Sequence, residues 1–174
     1  MSSIDLVILG IVLEKPQSAY EIQKDVEYHH FSRWTKISVP SIYRKVLQLC
    51  EAGYLQSDRV KGDRFADKAV YSITEAGKKQ FKKLMETCAD QPVPLQFDFN
   101  VIIANLSRLD QADALILLKK LRESIAGSLR MTDEYAVEYA EIPLGGRAII
   151  EQQQRLYHAL SEWLDAFAET LEKG

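Results

Sequence analysis

The sequence predicts a mainly α-helical chain in two parts: a short-element N-terminal unit closed by a β-hairpin, and a C-terminal unit of long helices. Three observations carry that reading. Apolar residues recur at helical spacing over most of the chain, and one pair of short β-branched and aromatic runs stands between residues 54 and 73. Ala89 to Leu95, with Pro92 and Pro94, interrupts the pattern at mid-chain. Beyond it, two long helical patterns flank the reversal Pro143-Leu144-Gly145-Gly146. The bounds that follow are 1–88 for the first unit, 89–95 for a linker and 96–174 for the second.

Ile4 to Leu13 is almost wholly apolar, broken by Asp5 and Gly10, and fits a short buried helix or a core strand. Lys15-Pro16-Gln17-Ser18 is a break. Ser18 followed by Glu21 is a capping-box spacing, so a second helix starts there with Ala19, Ile22 and Val26 inward, and ends around His29 to Phe31. Ser38 as a cap, with Pro40 in the first turn, starts a third helix that runs to Ala52 and stops at Gly53. Its apolar face is Ile42, Val46, Leu49 and Cys50, and its polar face is Ser41, Arg44, Lys45 and Gln48. Tyr54–Val60 and Ala69–Ile73 then read as a hairpin with Lys61-Gly62-Asp63-Arg64 at the turn. Thr74 opens a fourth helix to Cys88, with Phe81, Leu84 and Met85 inward and Lys78, Lys79, Lys82 and Lys83 outward.

After the linker come a short helix, Phe97 to Leu106, and a long one from Asp110 to Glu141 with Leu118, Leu121, Ile125, Leu129 and Ala136 in line. The last helix, Ala148 to Glu172, carries Ile149, Gln153, Leu156, Leu160, Trp163 and Phe167 at steps of four and three, a heptad-like seam. A long helical pair has little interior of its own. The seam residues Leu118, Leu121, Ile125, Leu156, Leu160, Trp163 and Phe167 are therefore expected to meet a second copy of the chain.

Helix, helix, helix, hairpin, helix is the order of a winged helix-turn-helix. In that arrangement the third helix needs one face to anchor it and one to enter a DNA groove. Ser41, Arg44, Lys45 and Gln48 form a stripe without an acid, Arg being suited to guanine and Gln to adenine. The helix start at Ser38 offers free N–H groups to a phosphate. The hairpin adds Arg59, Lys61, Arg64 and Lys68, diluted by Asp58, Asp63 and Asp67, which fits backbone contact rather than base reading. Charge supports this division. The whole chain is at −3, yet residues 1–88 carry 14 Lys and Arg against 11 Asp and Glu, and residues 89–174 carry 8 against 14. Any nucleic-acid surface belongs to the first half.

Other chemistries find little footing. His29 and His30 are adjacent, so their rings diverge on a helix, and with Cys50 on a core face no zinc spacing arises. No Gly-rich phosphate loop, G-x-S-x-G or H-E-x-x-H is present, and no enzyme or cofactor is expected. Two cysteines make no disulfide framework, and no run is long and apolar enough for a membrane span, so a cytoplasmic protein without membrane contact is the expectation.

The residues also resemble a known family, the PadR-type transcriptional regulators. Ile8-Leu9-Gly10-Ile11-Val12 resembles its opening "ILGLL" run, and Ala19-Tyr20-Glu21-Ile22 its "GYEI". Ser41-Ile42-Tyr43 with Leu47, Leu49, Glu51, Gly53 and Leu55 resembles the third-helix motif. Val70-Tyr71-Ser72-Ile73-Thr74-Glu75-Ala76-Gly77-Lys78 resembles the strand-to-helix junction. Phe97-Asp98-Phe99 and Trp163-Leu164 are similar to the longer subfamily with a helical C-terminal domain. The resemblance implies a dimeric regulator on dyad-symmetric double-stranded operator DNA, usually a repressor, often released by a small molecule such as a phenolic acid. It also implies that Tyr43 touches DNA beside Ser41 and Arg44. For Tyr20 two placements stay open, a phosphate contact or core packing. Ala19, Ala69 and Val70 depart from the family pattern and leave a less basic wing. Phe97, Phe99 and Trp163, with Tyr135, Tyr139 and Tyr157, are the aromatic residues available to an effector, and Arg122, Arg130 or Arg155 could pair an acidic one.

Overall fold

The structure is a computed structural model that describes residues 3–35, 37, 39–60, 68–139 and 141–173. The chain divides into two compact units, Met1–Val93 and Pro94–Gly174.

In the first unit, helix α1 (Ser3–Glu14) settles the helix-or-strand alternative. Ile4, Asp5, Ile8, Leu9 and Val12 are its buried residues, a helical period that a strand does not produce. Helix α2 (Ala19–Tyr28) starts on the expected capping box: Ser18 Oγ accepts from the Glu21 N–H, and the Ser18 N–H donates to Glu21 Oε2 at 2.7 Å. His30, at φ 49°, ends that run in the left-handed region and precedes a further short helix α3 (Phe31–Trp34), which sequence periodicity did not separate. A 3-10 turn, Val39–Ser41, leads into α4 (Ile42–Glu51), so the α-helix begins at Ile42, later than Pro40 predicted. Gly53, at φ 75°, reverses the chain where L side chains are disfavoured, and the Tyr54 N–H closes on Leu49 O.

Strands β1 (Leu55–Val60) and β2 (Lys68–Ile73) pair antiparallel from Leu55↔Ile73 to Val60↔Lys68. Gln17 adds a single bridge to Tyr71 through two backbone hydrogen bonds, fixing the α1–α2 connection to the hairpin. Helix α5 (Glu75–Ala89) is capped by Thr74, whose hydroxyl accepts from the Gly77 N–H and donates to Gly53 O. The Gly77 backbone approaches so closely that a Cβ there would lie 2.1 Å from Tyr54 O. Gly77, Phe81 and Leu84 thus form the inward line, and Met85, expected inward, is exposed one helical step beyond it. The result is a winged helix around Ile8, Leu9, Ile22, Ile42, Val46 and Leu55.

The second unit holds α6 (Asn100–Asn105), a 3-10 turn at Leu106–Arg108, and the long helices α7 (Gln111–Glu138) and α8 (Leu144–Lys173). Asp110 caps α7 by accepting from the Asp113 N–H. Helix α8 starts at Leu144 rather than Ala148: Pro143 precedes it, and Gly145 and Gly146 lie within its first turn. An ideal Cβ at Gly146 would lie 2.6 Å from Ile142 Cδ1, so a larger residue there would require the Ile142 side chain to shift. The helices run antiparallel, tied by Arg122 to Asp165, Gln154 to Asp133, and Gln111 to Leu171 O. At 1.5 Å per residue they span about 42 and 45 Å. No helix among the described residues is long and apolar enough to cross a membrane.

Candidate nucleic-acid interface

Helix α4 is anchored as its sequence predicts. Ile42, Val46 and Leu49 are buried, and Cys50 is half-buried beside them. The opposite face differs from the expected stripe. Tyr43 (45% exposed), Arg44, Leu47 (54%) and Gln48 are its exposed members, while Ser41 is half-buried at the end of the 3-10 turn. Lys45 leaves the stripe altogether: its Nζ lies 3.1 Å from Oδ1 of Asp5, a buried carboxylate on α1. The reason is angular. At about 100° per residue, Lys45 falls roughly 40° from Leu49 and 60° from Ile42, on the flank of the buried face. A carboxylate buried in α1 needs compensation, and Lys45 is within reach to provide it. The sequence carried that signal, since Asp5 is the one charge within a run that is otherwise apolar through Leu13. Arg44, by contrast, is exposed and makes no ion pair among the described residues.

The wing and α2 meet beside this face. Tyr20 is 58% exposed, which excludes core packing for it, and the Lys24 ammonium stands 5.7 Å from its ring centroid. Lys68, the first residue of β2, pairs with Glu21 at 3.1 Å. Glu21 is held down to about 2, first by the Ser18 hydroxyl, then by the Ser18 backbone N–H, then by Lys68. Tyr20, Glu21, Tyr43 and Lys68 line an open concavity of about 460 Å³. Arg59 is exposed on β1. Ser38, Lys61 and Arg64 lie outside the described residues.

With this geometry in place, the comparisons are specific. Residues 8–83 match the transcriptional regulator PadR-like family. The match covers most of the first unit, whose sequence is thus similar to that family. Its fold is shared with the Bacillus subtilis PadR in complex with operator DNA, at 16% identity and a TM-score of 0.81 over 98% of this chain and 99% of that one. It is shared too with Bacillus subtilis PadR in complex with p-coumaric acid, at 14% identity and 0.80 over 99% and 98%. The Vibrio cholerae virulence activator AphA follows at 20% identity and 0.70 over 98% and 99%. No curated protein matches by sequence. The family is one of transcriptional regulators, so its members' work is recognition rather than catalysis.

The second unit of this PadR-like chain rearranges the expected seam. Leu118 and Ile125, expected to meet a partner copy, are both buried within one chain, against Leu106, Ala114 and Leu164. Leu121, Leu160 and Phe167 are half-buried around that core. The reason lies in the phase of α8, which turns Leu164 inward at 1% exposure and leaves Leu156 and Trp163, each about two-fifths exposed, to one side. Of the aromatic residues, Phe97, Phe99 and Trp163 do come together. Phe97 stacks on Phe99 at 5.2 Å, Phe99 lies 6.1 Å from Trp163, and Trp163 lies parallel to Phe167 at 6.0 Å. Tyr135 and Tyr139 form a separate pair at the C-terminal end of α7. Arg122 is engaged by Asp165 and Arg155 by Glu151, whereas Arg130 is exposed without an ion pair among the described residues.

Proposed function

We propose that this chain is a homodimeric regulator of transcription that binds dyad-symmetric operator DNA, represses its target, and leaves the DNA when a small aromatic acid binds. The observation that carries the reading is the division of α4: one face sealed in the core, the other presenting Tyr43, Arg44 and Gln48 outward beside a two-stranded wing. That division is what a groove-reading helix requires. Arg44 and Gln48 supply paired hydrogen bonds to base edges, with Tyr43 and Ser41 beside them, and Tyr20, Arg59 and Lys68 approach the phosphates. Lys45 is assigned a structural part, holding α4 against α1. Ser38, Lys61 and Arg64 keep their expected phosphate-contacting roles.

The operator complex of the Bacillus subtilis relative supports the DNA partner, and its p-coumaric acid complex supports an aromatic effector. In this chain the ring series Phe97, Phe99 and Trp163 is the surface such a ligand would share, with Arg130 available to a carboxylate. For the dimer, the support is the exposed stripe Leu156, Ala159, Trp163 and Ala166 on α8.

The test is a duplex selected by the protein from a randomised library, titrated by fluorescence anisotropy over a range of salt. Steep weakening with salt is expected. Arg44→Ala should lose roughly tenfold or more in discrimination between the selected duplex and a scrambled one. Absence of duplex binding even at low salt would point instead to a winged helix used for protein contacts. Release of the duplex by p-coumaric acid, or a rise in melting temperature with it, tests the effector. A reporter fused to the selected site decides the sign, and activation would overturn repression.

A further inference from the structure

Leu47 is the aliphatic residue on the exposed face of α4. It is 54% exposed in the middle of α4, one residue before Gln48, three after Arg44 and four after Tyr43. Residues three and four apart share a helix face, so these side chains form one surface. The core does not need Leu47, because Ile42, Val46 and Leu49 already seal the opposite side. A solvent-exposed leucine alone carries no meaning. What distinguishes this one is its place among the hydrogen-bonding groups of the exposed face, where Lys45, the nearest charged residue on the N-terminal side, is drawn back to Asp5. The face therefore presents a branched apolar group flanked by a guanidinium and an amide.

We infer that Leu47 reads the C5-methyl group of a thymine in each half-site. Resting on the DNA-binding reading above, this names the base chemistry of one position. In the major groove the thymine methyl is the apolar group that the four standard bases display, and cytosine presents a hydrogen at the same place. A leucine has no hydrogen-bonding group with which to tell bases apart, so contact with that methyl is the discrimination open to it. The flanking Arg44 and Gln48 can hold register through hydrogen bonds while Leu47 excludes water from the methyl.

Replacing thymine by deoxyuridine removes that methyl and leaves every Watson–Crick hydrogen bond in place. The selected duplex is resynthesised with each thymine changed singly to deoxyuridine, and binding is measured for the full-length wild type, Leu47→Ala and Leu47→Gln. Leu47 is exposed, so both variants should fold, and a thermal melt confirms it. One position per half-site is expected to weaken wild-type binding about fourfold per methyl removed. Leu47→Ala and Leu47→Gln should bind the thymine and deoxyuridine duplexes alike. Two results overturn the inference: a wild type indifferent to every thymine methyl, or variants that keep the wild-type discrimination. Failure of the wild type to select any duplex removes the DNA-binding reading and this inference together, whereas duplex binding without methyl sensitivity removes this one alone.

Discussion

The two units of the chain close their interiors to very different degrees. In the first, Ile8, Leu9, Val12, Ile22, Val26, Ile42, Val46 and Leu55, drawn from α1, α2, α4 and β1, are almost completely buried. In the second, which contains the longest helices, Leu118 and Leu164 are the large side chains buried to that degree among the described residues. The difference follows from layers. Five helices and a hairpin surround a centre, whereas two antiparallel helices and a short third make one layer with a single seam. Apolar residues beyond that seam, such as Ile116, Met131, Leu156 and Trp163, stay exposed in one chain. The first unit closes its own core, and the second leaves apolar residues of its long helices exposed.

The largest effect should come from breaking the closed unit at its tightest point. A Cβ on Gly77 would stand 2.1 Å from Tyr54 O and 2.7 Å from Ile73 Cγ1, and the first of these is backbone. Gly77→Ala should therefore cost about 3 kcal/mol, at the upper end for overpacking, measured by urea unfolding followed through far-ultraviolet circular dichroism. A loss below about 1 kcal/mol would mean that the β1–α5 junction yields easily, and the contrast in closure would weaken. The open unit should respond through assembly instead. Trp163→Ser should raise the dimer dissociation constant roughly thirtyfold, about 2 kcal/mol, in sedimentation equilibrium, while the unfolding of the first unit stays put. A wild-type chain that sediments as a monomer throughout would remove the proposed dimer.

The contrast also explains what was legible in the sequence. Capping at Ser18, Thr74 and Asp110 was readable because it depends on residues three apart. The hairpin was readable from its two β-branched and aromatic runs. The anchoring face of α4 was readable for the same local reason, but the outward face was not, since its edge depends on Asp5 some forty residues earlier reaching Lys45. The apolar line of α7 and the heptad-like seam of α8 are visible in the spacing, yet spacing alone does not say whether a line meets its own chain or another. Leu118 and Ile125 meet their own chain, while Leu156 and Trp163 were not claimed by it. The early start of α8 was hidden because Pro143, Gly145 and Gly146 are ordinary turn residues, yet both glycines lie in its first helical turn.

A smaller effect sharpens the account of α4. If Lys45 holds the helix in place, Lys45→Met should lower stability by roughly 1–2 kcal/mol, because it leaves the Asp5 carboxylate buried with less compensation. The same variant should leave the slope of log affinity against log salt unchanged. A phosphate-contacting lysine would behave in the opposite way, lowering the slope by about one and leaving stability alone. Replacing both partners, Asp5→Leu with Lys45→Met, should recover most of the lost stability, since an apolar pair carries no desolvation penalty.

The smallest effect concerns the place where the wing meets α2. Glu21 is held at about 2, below its ordinary 4.5, by Ser18 first and Lys68 after it. A depressed carboxylate stabilises the fold above its unfolded value and loses that contribution as pH falls from 4.5 toward 2. Its side chain is 46% exposed and Lys68 is 51% exposed, so solvent screens most of the ion-pair part, leaving the contribution at a few tenths of a kcal/mol. Glu21→Gln should flatten the acid limb of the stability curve between those values, in melts at stepped pH. It should also act on binding. Lys68 is compensated by Glu21 in the native chain, so its charge is partly spent before any phosphate arrives. Freeing it should strengthen binding to scrambled duplex severalfold at low salt and steepen the salt slope by up to about one. Binding to the selected duplex should gain no more than that, because a lysine near the backbone adds affinity without adding sequence. A variant that gains nothing on either duplex would place Lys68 away from the phosphates and leave the Glu21 pair with a purely structural part.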